Sequence, residues 1–367
     1  MKAFNLALIT FVIIIISFLI FNLFFNNTRI DIKDNMTGNE EMILNRELRI
    51  LKKYEETELY DPRGVYYSNG NLLIRDIQSN QPLLLLDDDL NFISYIGHWG
   101  RGPGEISNPY RISAIKDNKI FIHDWTKKNI FIINLHSGEY LYSLDILKYL
   151  TYAHGAFICG NVLITPTKYS DEFANGFYML DNEYRIEKTD TVIFGAYYQI
   201  PEMKYAKNNY LLKDGWGTVI DDQYIYFIFR STSLILGFQC YNGDLLFKTL
   251  SPSYIELPNY TREGFTAAQP PINWFPQANM GIGTDSKYLY IIYSGTILSD
   301  REALSRERDH ELNHGRILHV YEKLSGKYRG SFRLPVLIND IAVSENYIFA
   351  TSQYPDITVY KFEKPEI

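Results

Sequence analysis

A short hairpin unit that recurs six times along the chain is the feature that most constrains its fold. Each copy has a few strand-forming residues, a tight turn of polar or glycine residues that tolerate positive φ, and a second strand of aromatic or aliphatic residues. The copies are SNGNLLI (68–74), KDNKIFI (116–122), ICGNVLI (158–164), DDQYIYF (221–227), DSKYLYI (285–291) and SENYIFA (344–350). Because only short alternating runs occur beyond the N-terminal region, the pattern predicts an all-β chain built from repeats.

A second hairpin follows the first in five copies, which gives four strands per repeat. The second hairpins are LLLLDDDLNFISYI (83–96), IFIINLHSGEYLYSL (130–144), FYMLDNEYRIEKT (177–189), LGFQCYNGDLLFKTL (236–250) and ILHVYEKLSGKYRGSF (317–332). The sixth copy ends after a third strand, ITVYKFE (357–363), so we expect ELRILKKYE (47–55) to supply its fourth strand. Repeats of four strands are typical of propeller blades. The predicted fold over residues 45–367 is therefore all-β, a six-bladed β-propeller closed by an N-terminal strand.

The N-terminal region contains one apolar segment, residues 7–25 (ALITFVIIIISFLIFNLFF). A helix of this length rises about 28 Å, close to the ~30 Å hydrocarbon core of a bilayer. We predict that residues 1–25 form an uncleaved signal anchor, a single transmembrane helix, and that the polar residues 26–44 form a stalk. The competing interpretation is a cleavable signal peptide, but bulky Phe24 and Phe25 end the segment where such a peptide has small residues.

The charges that flank this segment indicate its orientation. Lys2 and the α-amino group precede it, whereas the charges of Arg29, Asp31, Lys33 and Asp34 cancel after it. By the positive-inside rule we expect a cytoplasmic N-terminus. The predicted location is the cytoplasmic membrane, single-pass, with the propeller on the external, periplasmic side.

Composition excludes several classes of partner and site. The formal net charge is −7, whereas binding to a nucleic-acid backbone needs a basic face, so we expect no nucleic-acid partner. Two cysteines are too few for a disulfide framework or a Cys-based zinc site. Cys159 and Cys240 fall in different predicted blades and in non-equivalent strands. We therefore expect them to be small buried hydrophobic residues rather than a disulfide pair.

The segment Gly97–Glu105 (GHWGRGPGE), between the first two predicted blades, is the most distinctive local motif. It resembles the G-x-G-P-G-E element of bacterial six-bladed, TolB-like β-propeller proteins, and the resemblance covers residues 45–367. The resemblance implies a propeller fold and an extracytoplasmic setting, but little chemistry, and this chain lacks the cysteine that follows the apolar segment in lipoprotein-like members.

The same segment also invites interpretation as a phosphate-binding loop. It lacks the G-K-[ST] ending, and no helix pattern follows it. We expect instead a glycine-rich crossing between blades, in which Arg101 and Glu105 brace their neighbours or face the central channel.

Long connections fall on one face of the predicted propeller. The links between second and third strands, and those from one blade to the next, share this face, whereas the turns within hairpins lie on the opposite one. The long connections 97–111, 195–217, 251–283 and 294–316 are all of the first kind, and the hairpin turns have two to four residues. Binding residues tend to lie on loops held by a rigid scaffold, so we expect this long-loop face to bind the ligand.

Aromatic residues in these loops are suited to binding a sugar, a peptide or a protein partner. They are Tyr197, Tyr198, Trp216, Tyr254, Tyr260, Trp274 and Phe275. The alternative is that they pack the loops onto the blades. The candidate binding residues are Arg101, Glu105, Tyr198, Trp216 and Trp274.

A possible zinc motif, HELNH, matches H-E-x-x-H, in which two histidines on one helix face bind zinc and the glutamate activates a water. Gly315 would end any helix at once, and a third ligand is not evident, with His319 and Glu345 as candidates. We expect a charged loop with chance histidines and no metal. His310 and His314 remain the alternative metal ligands.

The remaining motifs point to binding rather than catalysis. His123-Asp124-Trp125 ends the second strand of the second blade, where we expect hydrogen bonding at the strand end rather than a catalytic pair. The leading hypothesis is a membrane-anchored binding or scaffold module without a cofactor, whose ligand is a protein, carbohydrate or peptide. The alternative is a hydrolase or lyase with a site in the central channel, and less favoured is a zinc peptidase that uses the HELNH segment.

Overall fold

The structure is a computed structural model, and every residue that it describes belongs to the second of two units, 1–39 and 40–367. The described residues are 46–146, 156–169, 172–179, 193–194, 215–221, 223–229, 233–252, 275–298 and 314–367. The predicted signal anchor and stalk lie outside them. Within these ranges no helix has the length and hydrophobicity that crossing a bilayer would require.

Twenty-four strands form six antiparallel sheets of four strands in the described part of the chain. In chain order they are β1 (Ile50–Lys53), β2 (Pro62–Ser68), β3 (Asn71–Asp76), β4 (Leu83–Asp87), β5 (Phe92–Ile96), β6 (Pro109–Lys116), β7 (Lys119–Asp124), β8 (Asn129–Asn134), β9 (Tyr140–Asp145), β10 (Phe157–Cys159), β11 (Val162–Tyr169), β12 (Glu172–Met179), β13 (Ile193–Phe194), β14 (Gly215–Ile220), β15 (Tyr224–Phe229), β16 (Leu234–Gln239), β17 (Leu245–Leu250), β18 (Phe275–Thr284), β19 (Tyr288–Leu298), β20 (Gly315–Glu322), β21 (Tyr328–Ile338), β22 (Asp340–Val343), β23 (Tyr347–Ser352) and β24 (Thr358–Glu363). Blades 1 to 5 contain β2–β5, β6–β9, β10–β13, β14–β17 and β18–β21, and blade 6 contains β22–β24 with β1.

The first strands of the blades form a closed ring. Each of β2, β6, β10, β14, β18 and β22 contacts the first strand of both neighbouring blades, and β22 contacts β2 to complete the cycle. Six sheets arranged radially around a common axis are a β-propeller, and the inner strands line its central channel.

Hydrophobic residues on both faces of each sheet hold neighbouring blades together. In β3, Leu72 and Ile74 pack into the core between blades 6 and 1, whereas Leu73 packs into the core between blades 1 and 2. Among the described residues, one such core joins each of the six neighbouring pairs of blades. A sheet that is covered on both faces has continuous apolar runs in its middle strands, which explains the LLLL sequence of β4.

The N-terminal segment contacts two blades. Strand β1 is the outermost strand of blade 6 and pairs antiparallel with β24, with Ile50 opposite Phe362. Just before it, the Leu48 N–H donates to the Arg333 carbonyl on β21 at 2.9 Å, and the Leu48 side chain lies in the core between blades 5 and 6. Strand β1 therefore lies within the segment 47–55 that we expected to supply the fourth strand.

The strand bounds give the four long connections that we expected, all between blades or between second and third strands, but in blade 3 one hairpin connection is also long. By the strand bounds, the long connections are 97–108, 195–214, 251–274 and 299–314. We expected the second hairpin of blade 3 to lie within 177–189, but Gly176 and Phe177 of β12 pair with β13, so this connection spans 180–192. The apolar run that begins at Phe177 indicated a strand, but it did not show where that strand pairs with its neighbour. Strand β12 pairs with the whole of β11, and this pairing fixes its register.

Cys159 and Cys240 form a disulfide, so the expectation of two separate cysteines was wrong. Their Cα atoms are 5.9 Å apart across the contact between blades 3 and 4, within one hydrophobic core. Cys159 ends the first strand of blade 3 and Cys240 follows the third strand of blade 4, so the two strands are not equivalent, as we inferred. The two cysteines meet because the residue after the third strand of a blade reaches the first hairpin of the preceding blade.

This latch position, the residue that directly follows a third strand, recurs around the ring. In blades 2, 4 and 5 its backbone N–H donates to a carbonyl in the first hairpin of the same blade, which holds the side chain at the same place in these three blades. The pairs are Leu135 to Asn118 (2.8 Å), Cys240 to Gln223 (2.9 Å) and Lys323 to Lys287 (3.0 Å).

The side chain at the latch position joins its blade to the preceding one in chemically different ways. Leu135 packs into the core between blades 1 and 2. Lys323 of blade 5 pairs with Asp221 of blade 4 at 2.5 Å, and Lys364 of blade 6 pairs with Asp285 of blade 5 at 2.6 Å. The disulfide therefore occupies a position that ion pairs occupy in the two following blades.

Candidate functional site

A cluster of charged and polar residues lies where the central channel opens on the long-loop face. The first strand of each blade begins where the chain enters from the preceding blade, so the first residues of β2, β6 and β22 lie at the same end of the channel. We call this cluster the channel entrance and define it by six residues: Arg63, Tyr66, Arg75, Arg111, Asn339 and Asp340. Blades 6, 1 and 2 contribute these residues.

Arg75 is held in the channel entrance by two backbone carbonyls. Its Nη1 donates to Pro109 O and its Nη2 to Arg63 O, both at 2.7 Å, so the guanidinium joins blades 1 and 2. Its Nε is buried without a hydrogen-bond partner among the described residues. A Cβ atom on Gly64 would lie 3.3 Å from this Nε and 2.9 Å from Tyr66 Cε2, so the glycine provides the space that both side chains fill.

Asp340 lies at the start of β22, in the blade next to that of Arg75. Its carboxylate accepts the N–H of Ile341 at 3.0 Å and the N–H of Val65, from blade 1, at 3.3 Å. On the other side, a Cβ atom on Gly281 would lie 3.0 Å from Asp340 Oδ1. The carboxylate is therefore packed between blades 5 and 1 with a fixed orientation.

Burial governs the ionisation of the channel entrance. It raises the pKa of Asp340 to about 6, although the two N–H groups and the charges of Arg111 and Arg75 act in the opposite direction. Burial also raises the pKa of Tyr66, whose hydroxyl accepts the N–H of Ile112 at 3.3 Å. The phenol is therefore protonated at neutral pH, so it can donate a hydrogen bond but is a poor general base.

The rim of the channel entrance is held by further polar contacts. Arg63 Nε lies 2.9 Å from both carboxylate oxygens of Asp61, which also accepts a hydrogen bond from Gln78 at 3.2 Å. Asn339 Nδ2 donates to Pro62 O at 2.9 Å, and Asn339 Oδ1 is buried without a hydrogen-bond partner in the described ranges. These contacts fix the rim without using all of its polar atoms.

Two guanidinium groups lie near the Asp340 carboxylate among the described residues of this opening. The charges of Arg111 and Arg75 both act to keep that carboxylate ionised. The guanidinium carbon of Arg111 lies 5.2 Å from the centre of the Phe157 ring, so blade 3 packs against Arg111. Two neighbouring, half-buried guanidinium groups, those of Arg75 and Arg111, favour an anionic ligand.

In the glycine-rich segment between blades 1 and 2, Glu105 has the bracing role that we expected of it. Glu105 Oε2 accepts the N–H of Gly102 at 2.7 Å, and Lys127 Nζ donates to the carbonyls of Gly102 (2.8 Å) and Glu105 (2.7 Å). A Cβ atom on Gly100 would collide with the Glu105 carboxylate, which explains this glycine. The neighbouring Arg101 is exposed to solvent.

The other predicted site residues are only partly covered by the structure. Trp216 lies in β14, whereas Tyr198, Trp274 and His310 lie outside the described residues. His314 is buried just before β20. Within the described ranges, no group of three or more His, Cys, Asp or Glu residues is arranged to hold a metal ion.

His319, a candidate third zinc ligand, is instead part of a buried polar network. Its Nδ1 lies 2.6 Å from Ser331 Oγ, which lies 2.6 Å from the Tyr328 hydroxyl. Burial lowers the pKa of His319 to about 3, so the ring is neutral at physiological pH. His319 and Ser331 are both buried, and their contact stabilises the fold.

The expected hydrogen bonding at the strand end is confirmed for Asp124, whereas both ring nitrogens of His123 are buried without a hydrogen-bond partner among the described residues. The Asp124 carboxylate accepts four backbone N–H groups, from Ser107 (2.7 Å), Asn108 (3.1 Å), Thr126 (2.9 Å) and Lys127 (2.9 Å). Asp76 has the same role in blade 1. Burial, together with the charges of Arg111 and Lys128, lowers the pKa of His123 to about 4.

Our sequence analysis did not single out the charged residues of the channel entrance. A signal was present, because polar residues interrupt the apolar pattern where three first strands begin: PRGV (62–65), PYRI (109–112) and DIAV (340–343). The three segments indicate a common site only once they are known to lie at the same end of the channel. That placement follows from the closed ring of blades and not from the sequence.

Comparisons with known proteins support the fold. Residues 25–193 match the family model DUF5128, described as a 6-bladed beta-propeller. The structure is similar to that of a Bacteroides fragilis protein classed as exported, with a TM-score of 0.52, 13% identity and coverage of 90% of this chain and 98% of that one. BamB from Moraxella catarrhalis has a TM-score of 0.36 at 10% identity, with coverage of 82% and 71%. A comparison with curated proteins gave no match.

Proposed function

We propose that the protein is an extracytoplasmic binding module whose ligand site is the channel entrance on the long-loop face. The observation that carries this proposal is the convergence of Arg75, Arg111, Tyr66 and Asp340 from three blades at one end of the channel. Rigid sheets hold these groups in place, and the adjoining long loops leave room for ligand selection. A protonated phenol and a carboxylate packed against backbone N–H groups suit binding better than acid–base catalysis.

The proposal includes the membrane anchor at residues 7–25, a propeller closed by β1, and membership of the TolB-like group. The disulfide between Cys159 and Cys240 supports an external location, because structural disulfides persist in oxidising compartments. Trapping cellular thiols with an alkylating reagent, together with protease added outside spheroplasts, tests the location. We expect an oxidised pair in a propeller that external protease reaches, and reduced cysteines in a protected propeller would contradict it.

Hydrogen-exchange mass spectrometry of the full chain in detergent tests the binding face. The probes are neutral monosaccharides, uronic acids, amino acids and N-acetylated amino acids, screened first for a rise in unfolding temperature. We expect any stabilising probe to slow exchange at 62–66, 109–112 and 339–341, and to leave the hairpin turns at 69–70 and 117–118 unchanged. Protection confined to those turns, or a panel without any stabilising probe, would contradict the proposal.

A further inference from the structure

We propose that the channel entrance binds a carboxylate group of its ligand, with Arg75 and Arg111 as the anion-binding residues and Asp340 as the residue that selects against more highly charged anions. This inference rests on the proposed function, and it specifies the class of ligand that the same site takes.

The hydrogen bonds of the Arg75 guanidinium group support an anionic ligand. A guanidinium has five N–H donors, and the two hydrogen bonds to backbone carbonyls use two of them. These bonds fix the orientation of the planar group, so little side-chain freedom remains to be lost when a ligand binds. The Nε, buried and without a partner among the described residues, leaves part of the donor capacity unused.

Arg111 adds a second positive charge beside the first. The two guanidinium groups lie close enough that the charge of Arg111 contributes to lowering the pKa of Arg75, after burial as the largest cause. Two neighbouring positive charges repel each other, and an anion between them relieves that repulsion. Arginine binds carboxylates with two parallel hydrogen bonds, which gives both strength and a defined orientation.

Asp340 distinguishes a carboxylate from a phosphate. Its negative charge partly offsets the positive charges of Arg75 and Arg111. A carboxylate brings one negative charge, whereas a phosphate monoester brings ~1.5 to 2, so the repulsion from Asp340 is larger for the phosphate. The ligand class is therefore a monovalent carboxylate, such as that of an acidic sugar or of a peptide C-terminus.

Three variants and one control separate this role from a structural one. Arg75→Gln and Arg111→Gln remove a charge-assisted contact, so each is expected to weaken carboxylate binding about 10-fold or more. Asp340→Asn removes the competing charge and is expected to strengthen binding, a gain that a poorly folded variant cannot produce. Arg329→Gln is the matched control, because Arg329 lies on β21 and pairs with Glu322 at the blade surface.

Isothermal titration calorimetry on the full chain in detergent measures these effects. The probes are glucuronate, N-acetylglycine, inorganic phosphate and glucose, and comparison of the first two distinguishes a sugar carboxylate from a peptide terminus. We expect at least one carboxylate to bind more tightly than phosphate and glucose. Its affinity is expected to fall in Arg75→Gln and Arg111→Gln, to rise in Asp340→Asn and to stay unchanged in Arg329→Gln.

Three results would overturn the proposal. If phosphate binds more tightly than both carboxylates, or if glucose binds as tightly as glucuronate, the carboxylate assignment is wrong while the proposed binding function stands. If carboxylate binding is unchanged in Arg111→Gln and Asp340→Asn, the site lies elsewhere. The hydrogen-exchange pattern then decides separately whether the long-loop face binds a ligand.

Discussion

Gly64 gives the channel entrance its shape, because the space where a side chain would lie is filled by Tyr66 and Arg75. We predict that Gly64→Ala displaces these two groups, destabilises the fold by about 1 to 3 kcal/mol and weakens ligand binding. Gly330→Ala is the matched control, since nothing lies within 4 Å of a Cβ atom there. Urea unfolding of both variants tests the prediction, and equal stabilities would contradict it.

The ionisation of Asp340 predicts a pH dependence of stability. The pKa of Asp340 is about 6 in the native state and that of an unfolded aspartate is about 4, so the native state holds this proton more tightly. Its stabilising contribution is complete below pH ~4 and is lost as the pH rises through about 6. We therefore expect Asp340→Asn, which cannot ionise, to gain about 2 to 3 kcal/mol relative to the wild type between pH 4 and 7.5.

The difference in free energy of unfolding between Asp340→Asn and the wild type reports on Asp340 alone, because the buried histidines titrate in both proteins. Urea unfolding of both proteins at four pH values between pH 4 and 7.5 measures this difference. A difference that stays constant with pH would show that Asp340 is not desolvated.

At the residue scale, the sequence identified side chains with a local role but not those that act together. Asp124 and Glu105 bond to backbone groups nearby in the chain, so their motifs predicted what they do. Arg75 and Asp340 are far apart in sequence, and only the closing of the ring brings them to one opening. No local pattern contains that information.

The disulfide between blades 3 and 4 is the strongest single link at the latch position. It closes a loop of 81 residues, for which the loss of chain entropy in the unfolded state corresponds to about 4 kcal/mol. We expect Cys159→Ser/Cys240→Ser to unfold at a lower temperature and to be insensitive to reductant. Calorimetry with and without dithiothreitol tests this, and a wild type that reductant leaves unchanged would contradict it.

The N-terminal segment stabilises the outer edge of blades 5 and 6 through Leu48 and β1. Leu48 is 6% exposed and lies in the core, whereas Leu51 on β1 is 37% exposed. We predict that Leu48→Ala lowers the free energy of unfolding by about 2 to 4 kcal/mol, and that Leu51→Ala changes it by no more than about 0.5 kcal/mol. Chemical denaturation of both variants checks this, and similar losses would contradict the proposed docking.

At the element scale, strand pattern predicted the hairpins well and the links between them poorly. Alternating and apolar runs located the first hairpin of every blade. The disulfide and the position of β13 were missed, because both depend on which residues of neighbouring blades or distant strands become adjacent. Lys323 and Lys364 show the physical rule, since the residue at the latch position meets the preceding blade whatever its chemistry.

The two faces of the whole propeller are built differently. Among the described residues, ion pairs and the disulfide link neighbouring blades near the hairpin turns, whereas the channel entrance lies at the opposite face. The asymmetry of loop length was visible in the sequence, so the face that we propose to bind the ligand was identified there. The convergence of Arg75, Arg111 and Asp340 at that face was not, because these residues belong to three blades that only the folded ring brings together.

The central claim is that a carboxylate binds between Arg75 and Arg111, and anomalous X-ray diffraction tests it most directly. Crystals of the full chain soaked in 4-iodobenzoate would show the position of the iodine without assumptions about the ligand. We predict an anomalous peak on the long-loop face at the channel entrance, with the carboxylate against the two guanidinium groups, and its loss in Arg111→Gln crystals. A peak only at the hairpin-turn face or along the outer strands, unchanged in Arg111→Gln, would contradict this account.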